Sequence, residues 1–431
     1  MKTVIIQARQ HPNVLDFRPP KDSPALINFF KIAVPLFMKI QSGGLTVVPV
    51  EGALKRFEKV SKKRGMVCPN HSNRIDPEVM FAFSLKVRED FNYVAAREVF
   101  DWDGGFNGWL MQRVGAYSVV RGAADRESFK MTRKVLSEGK KKLVLFPEGE
   151  ISRQNDTLMT LESGAAQLTF WGVEELMKTQ GQNNGQLEPL YLIPVALKYT
   201  YAADVRPALK KTLSALENRL GVTAESTEFY PRLRAISARL LATMEQEYGF
   251  KSAPDATTND RIAALRTHIL TSIAAQLRIT LAPNAKPLEC VRILRNAMDD
   301  FVYVDESPKS EYHKKIHDEK ASIIKGFYRD LDRVVNFIVI YEGYFQEQNT
   351  QERFADIVER LESEIIGGDP SSKGARRVLL DVGEPINMSE RFADYKKEKK
   401  VVLNKVTEEV SRQISDMLIK LDSVRSPLLL N

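Results

Sequence analysis

Cysteine is almost absent: Cys68 and Cys290 are the only two in 431 residues, far apart and outside any metal-ligand spacing. That argues against a disulfide framework or a structural zinc site and points to a reducing compartment. Long apolar runs are missing too. Spanning a bilayer takes roughly 18 to 20 consecutive apolar residues. The stretch ALINFFKIAVPLFMKI (25–40) is interrupted by Lys31, Pro35 and Lys39, and VVNFIVIY (334–341) is too brief. The first residues carry no long apolar core followed by a small-residue cleavage pattern, so no secretory signal is expected. There is no low-complexity tract and no obvious repeat. Acidic and basic residues nearly balance, with a net charge of +7 and a pI of about 9.1. That mild basic excess suits an anionic partner of any kind, whether nucleic acid, acidic phospholipid or phosphorylated small molecule. No nucleic-acid-binding module is recognisable, so that partner is set aside.

What is there is an alternation of strands and helices. Short apolar runs (LTVVPVEG, MVCPN, NYVAARE, AYSVVR, KLVLF, LYLIPVALKY) are separated by amphipathic segments from residue 45 to 203. This predicts an α/β domain with a central, mostly parallel sheet flanked by helices. From 204 to 374 the strand signal stops and apolar residues recur at three and four, which predicts a large all-α insertion. Its most apolar piece, RVVNFIVIYEGYF (333–345), is a core helix or a cover for a bound apolar group. The turn-rich DPSSKG (369–374) closes it, and residues 375–431 return as a closing strand, RVLLDVGEPI, and a helix from about Ser389. Residues 1–44 form a segment with an amphipathic helix, either docked on the domain or lying in a membrane interface.

Three of the five histidines stand five residues before an aspartate: His11 with Asp16, His71 with Asp76, and His313 with Asp318. Context separates them. His11 has no strand before it, and His313 sits in a charged helical stretch where a five-residue offset turns the two side chains apart. Only His71 follows a buried strand and precedes a helix start, with Asp76 as a plausible N-cap and Pro77 at the first helical position. Strand carboxyl ends are where α/β sheets gather their chemistry. A carboxylate placed there can fix the tautomer of an imidazole base. A second buried strand ends in Phe146-Pro147-Glu148-Gly149, with Arg153 shortly after.

In order, VEG, NHSNRID, GAYSVVR, FPEG and LIPV resemble glycerolipid acyltransferases of the 1-acylglycerol-3-phosphate acyltransferase type. The blocks fall on Asn70, His71 and Asp76; on Gly115 and Arg121; on Phe146, Pro147, Glu148 and Gly149; and on Ile193, Pro194 and Val195. The resemblance implies His71 as general base assisted by Asp76, and acyl transfer from acyl-CoA or acyl carrier protein to a lysophospholipid hydroxyl. It implies neither a metal nor a cofactor. Asn70, Gly115, Arg121, Glu148 and Gly149 would bind substrate, with Arg153 in support. It also implies a cytoplasmic enzyme, peripheral on a membrane. One departure stands out: Glu150 and Ile151 follow FPEG where the family has a small residue or Thr, then Arg or Ser. A carboxylate there repels a phosphate. An acceptor without phosphate, or a lipid-binding scaffold on the same fold, are the other readings.

Overall fold

The computed structural model describes residues 17–40, 44–120, 125–180, 188–223, 225–303, 323–324, 326–336 and 349–424. The chain divides into two compact units, Phe17–Asp204 with Gly374–Pro427, and Val205–Lys373.

The first unit is built on one eight-stranded sheet. Its strands are β1 (Leu45–Pro49), β2 (Arg64–Pro69), β3 (Phe91–Ala96), β4 (Ala116–Val119), β5 (Lys142–Val144), β6 (Leu190–Tyr201), β7 (Arg376–Val382) and β8 (Ile386–Asn387). The order is β1-β7-β6-β2-β5-β3-β4, with β8 paired to the start of β6. From β6 through β2, β5 and β3 to β4 every pairing is parallel, so the carboxyl ends of these strands share one edge. β7 runs antiparallel to β6 and parallel to β1. The fold is therefore α/β with a mostly parallel sheet, as the alternation of runs predicts.

Side chains alternate between the two faces of a strand. Val67, Val144, Ile193, Val195, Leu197 and Tyr199 pack against α1 (Pro24–Ile40), α2 (Ala53–Glu58), α3 (Asp76–Val87) and Phe100. Met66, Cys68, Leu143, Leu192 and Ala196 face α5 (Arg126–Glu138), α6 (Gly164–Gln180) and the C-terminal helix Lys399–Val424. Both faces are covered, which is why the central strands read as continuous apolar runs.

Some boundaries differ from the sequence reading. The α2 helix stops at Glu58 and gives way to tighter turns, with Val60, Ser61 and Lys63 N–H each bonded to the carbonyl three residues earlier and Lys62 left-handed (φ 54°) just before β2. The C-terminal segment is two helices, Phe392–Lys397 and Lys399–Val424, broken at Glu398.

The second unit is helical. Arg206–Leu220, Phe229–Glu247, Thr258–Leu277, Pro287–Tyr303, residues 326–336 and Gln351–Ile365 are its described helices. Leu265, Ile269, Leu294, Leu331 and Val334 are among the side chains of its core. Of the expected apolar cover 333–345, residues 337–345 lie outside the described residues, as do His11 and His313. In the chain, this unit is inserted between two neighbouring antiparallel strands, β6 and β7, whose ends are closed by Ala202 N–H donating to the Ala375 carbonyl (2.8 Å).

Candidate active site

The site forms where β2 and β5 end side by side. β2 stops at Pro69, opposite Val195, while β6 runs on to Tyr201. The next peptide groups of β6 lack a strand partner on that side, and buried peptide groups must be paired. Two asparagines supply the partners. Asn70 accepts from Leu197 N–H (2.7 Å) and donates to the Leu197 carbonyl (3.0 Å). Asn155 does the same to Tyr199, with both bonds at 2.6 Å. Each side-chain amide thus imitates a residue of a neighbouring strand.

His71 comes next in the chain, and the FPEG loop holds its backbone at both ends. Its N–H donates to Glu148 Oε1, and its carbonyl accepts from Ser152 N–H (2.8 Å). Glu148 Oε2 accepts from Met159 N–H (2.9 Å). Phe146 to Gly149 is a tight turn closed by Gly149 N–H on the Phe146 carbonyl, with Gly149 at φ +73°. The imidazole stacks on Phe146, ring centres 4.1 Å apart and planes 23° from parallel. Lys198, fully buried, bonds to Asp156 (2.8 Å) and Asp422 (2.6 Å), so the far end of the loop is anchored too.

Asp76 is fully buried and opens α3 as its first helical residue, the N-cap position being Ile75. Its expected role as N-cap is replaced by another. Its carboxylate turns back and accepts from His71 Nδ1 (2.9 Å), from Asn73 N–H (2.8 Å) and from the Tyr199 hydroxyl. With Nδ1 donating to Asp76, Nε2 is left as the proton-accepting nitrogen. Burial, and then the adjacent Asp76 charge, push the Tyr199 phenol far above its ordinary range, so it remains a hydroxyl donor.

Glu148 has no exposed surface, and burial pushes its pKa up to about 7 against the pull of its two N–H donors and His71. Two residues past Asp76, burial likewise raises the Glu78 carboxyl. Among the described residues no group of three His, Cys, Asp or Glu is arranged to hold a metal ion.

The candidate residues therefore separate. His71, Asp76, Glu148, Gly149 and Arg153 lie on or beside the two loops at this edge, Arg153 half-buried with a left-handed backbone (φ 52°). Asn70 and Glu148 are turned inward and bonded to backbone. Gly115 stands at the start of β4, on the opposite edge of the sheet. There its φ of +95° makes the turn into the strand, and a Cβ would come 2.9 Å from Asn92 Nδ2. It is not brought to His71. Arg121 lies outside the described residues. Tyr199, Asn155 and Ser152 were not anticipated, although a tyrosine in a buried run such as LIPVALKY needs a partner for its hydroxyl.

Residues 39–198 match the family model described as Acyltransferase. Over that span the chain is similar to acyltransferases. The matched span runs from the end of α1 into β6 and contains both loops of the site. No curated protein matches the chain.

Proposed function

We propose that the first unit moves a fatty acyl group from a thioester donor, acyl-CoA or acyl carrier protein, to the hydroxyl of a glycerolipid, most simply lysophosphatidate to give phosphatidate. The observation that carries this reading is the imidazole of His71, tied through Nδ1 to a buried carboxylate at the carboxyl edge of the sheet.

In this reading Nε2 takes the proton of the acceptor hydroxyl as its oxygen attacks the thioester carbonyl. The tetrahedral adduct collapses, the C–S bond breaks, and the imidazolium returns the proton to the departing thiolate. Asp76 stays ionised throughout and stabilises the imidazolium, held in place by Asn73 N–H and the Tyr199 hydroxyl. A positioned base of this kind is worth about a hundred- to ten-thousand-fold in rate. Gly149, Arg153 and Arg121 are the proposed acceptor contacts. A guanidinium suits a phosphate because the two pair bidentately.

The acceptor is amphiphilic, so the enzyme works at a membrane surface. No described helix is long and apolar enough to cross a membrane. The α1 helix exposes Phe29, Ile32, Leu36, Phe37 and Ile40, and burial of such a face in the headgroup layer would hold the protein there. We place it on the cytoplasmic face, peripherally.

The test is thiol release from a long-chain acyl-CoA in detergent micelles, with and without lysophosphatidate, for wild type and His71→Ala. Release that requires the acceptor and disappears in the variant supports the reading. Preference for a phosphate-free amphiphile would move the acceptor assignment to the reading that Glu150 and Ile151 favour. Lysolipid binding without thiol release from either donor would leave a lipid-binding scaffold.

A further inference from the structure

The large apolar side chains that the first unit exposes concentrate on one face of its sheet. Besides those of α1 this face exposes Leu54 of α2 and, on the 3-10 segment Arg97–Gly105 and α4 (Phe106–Arg113), Trp102, Phe106 and Trp109; Val48 of β1 and Val401 and Ile419 of the C-terminal helix are the other exposed ones. Phe100 and Met111 fix the 3-10 segment and α4 on the same apolar cluster as α1. The backbone is shaped to make the protrusion. Asp103, Gly104 and Gly105 are left-handed in succession, and Gly108 lets α4 approach Phe100 so closely that a Cβ would stand 2.2 Å from its carbonyl oxygen. Phe106 and Trp109 lie nearly parallel, 5.8 Å apart and 14° from coplanar. Trp102 and Phe106 nonetheless keep more than half of their surface in solvent, and Trp109 keeps 43%.

Beside this knuckle is a cleft of about 260 Å³, whose lining includes Arg18, Lys21, Asp101, Trp109 and Arg113. Arg113 lies over the Trp109 ring at 4.1 Å, and Asp101 is neutralised by Arg97 at 2.9 Å. Among its lining side chains Arg18, Lys21 and Arg113 outnumber Asp101. The segment bearing Arg18 and Lys21 is stapled to the end of α4 through Lys21 N–H to the Gln112 carbonyl (2.8 Å) and Ser23 N–H to the Arg113 carbonyl (2.9 Å). It leads directly into α1, so basic cleft, aromatic knuckle and apolar helix adjoin one another on one face.

We infer that the cleft takes the phosphate of an anionic phospholipid headgroup while Trp102, Phe106 and Trp109 sit in the interfacial layer of the bilayer, a second anchor beside α1. Indole and phenyl rings at the headgroup level rimmed by Lys and Arg are the arrangement that interface favours. The inference rests on the reading of the domain as acting at a membrane, and adds a headgroup preference to it.

The chain has three tryptophans, and the third, Trp171, is on α6 on the other face, edge-on to Phe129 at 5.3 Å. Full-length Trp171→Phe therefore reports on the knuckle, and full-length Trp102→Phe/Trp109→Phe reports on Trp171 alone. Each is mixed with phosphatidylglycerol vesicles whose acyl chains carry bromine, a contact quencher. The expected result is at least about twofold quenching in Trp171→Phe and none in the double variant, since only interfacial rings reach the chains. Lys21→Gln and Arg113→Gln should each weaken vesicle binding about fivefold on phosphatidylglycerol and little on phosphatidylcholine. Vesicle binding without quenching in Trp171→Phe would overturn the inference and leave α1 as the anchor. Cation-dependent binding of soluble glycerol phosphate with no quenching would also overturn it, making the cleft a small-molecule site. Absence of vesicle binding by an enzyme still active in micelles would remove both anchors without touching the acyl-transfer reading.

Discussion

Replacing Asp76 by asparagine removes one charge from the site and little volume. The imidazolium formed when His71 takes a proton has its Nδ1 2.9 Å from Asp76 Oδ2, and the aspartate is fully buried. With charge centres about 4 Å apart and an effective dielectric of about 20, the pair is worth about 4 kcal/mol, or about a thousandfold in kcat. A second effect adds to this. Three donors converge on the two carboxylate oxygens, and an amide offers one oxygen and an NH2 in their place. Either the NH2 stands where Oδ2 was, so that His71 turns its lone pair to it with the proton on Nε2 and Asn73 N–H loses its acceptor, or it stands where Oδ1 was and the Tyr199 hydroxyl loses its acceptor. The expected loss in kcat is therefore about 10³- to 10⁴-fold, with KM for the acceptor little changed. Tyr199→Phe keeps the charge and removes one donor, so it should lose only about tenfold. The assay is acceptor-dependent thiol release from acyl-CoA, with thermal unfolding by circular dichroism to show that each variant is folded. A folded Asp76→Asn enzyme within about tenfold of wild type would refute the electrostatic argument. A His71→Ala enzyme with full activity would refute the site.

The Glu148 carboxyl is raised to about 7 by burial, so between about pH 4.5 and about pH 7 the folded chain holds a proton that the unfolded chain has released. That group's contribution to stability therefore falls as pH rises through this window, by up to about 3 kcal/mol. Glu148→Gln cannot titrate, and the Tm of wild type relative to the variant should drop from about pH 5 to about pH 8; a constant difference would contradict the assignment. Asn70→Ala and Asn155→Ala each leave an N–H and a carbonyl of β6 without a partner. Each should cost about 2 to 4 kcal/mol in urea unfolding, and a loss below about 0.5 kcal/mol would show that water replaces the amide. Gly108→Ala drives a methyl into the Phe100 carbonyl, a backbone atom that cannot swing away. It should destabilise by about 2 kcal/mol or more in the same measurement; an unchanged midpoint would mean that the 3-10 segment yields.

The architecture was legible because each buried strand is a short apolar run bounded by turns, and each helix carries its own period. A boundary went astray where one residue decides it, as at Glu398, which breaks the C-terminal segment into two helices. The juxtaposition of His71 and Asp76 was legible because it is local: a turn of five residues brings the two side chains together. Tyr199, Asn155 and Ser152 were not, because their partners lie far away in sequence and depend on register. Tyr199 reaches Asp76 only because it shares a face with Leu197 and Val195, which pack against the side where α3 lies. A shift of β6 by one residue would have sent its hydroxyl to the other face.

The same topology divides the roles within the sequence blocks. Gly115 and Arg121 belong to one block, but β4 runs between them. At roughly 3.3 Å per residue a strand of this length separates its ends by about 10 Å. The glycine therefore turns the chain at one edge, and Val119, at the other end of β4, lies on the edge that carries His71. The blocks around His71 and Glu148 divide in the same way. Asn70 completes the β6 ladder and Glu148 grips the His71 backbone, both without exposed surface, while the His71 ring and Arg153 keep part of theirs. Burial places the first pair in the frame around the base. On the proposed acyl-transfer reading, chemistry and acceptor choice fall to the second pair and to residues such as Glu150 and Ile151 in the same loop. That is where this chain departs from the pattern it resembles, so on that reading the departure bears on the choice of acceptor and leaves the histidine–aspartate pair intact.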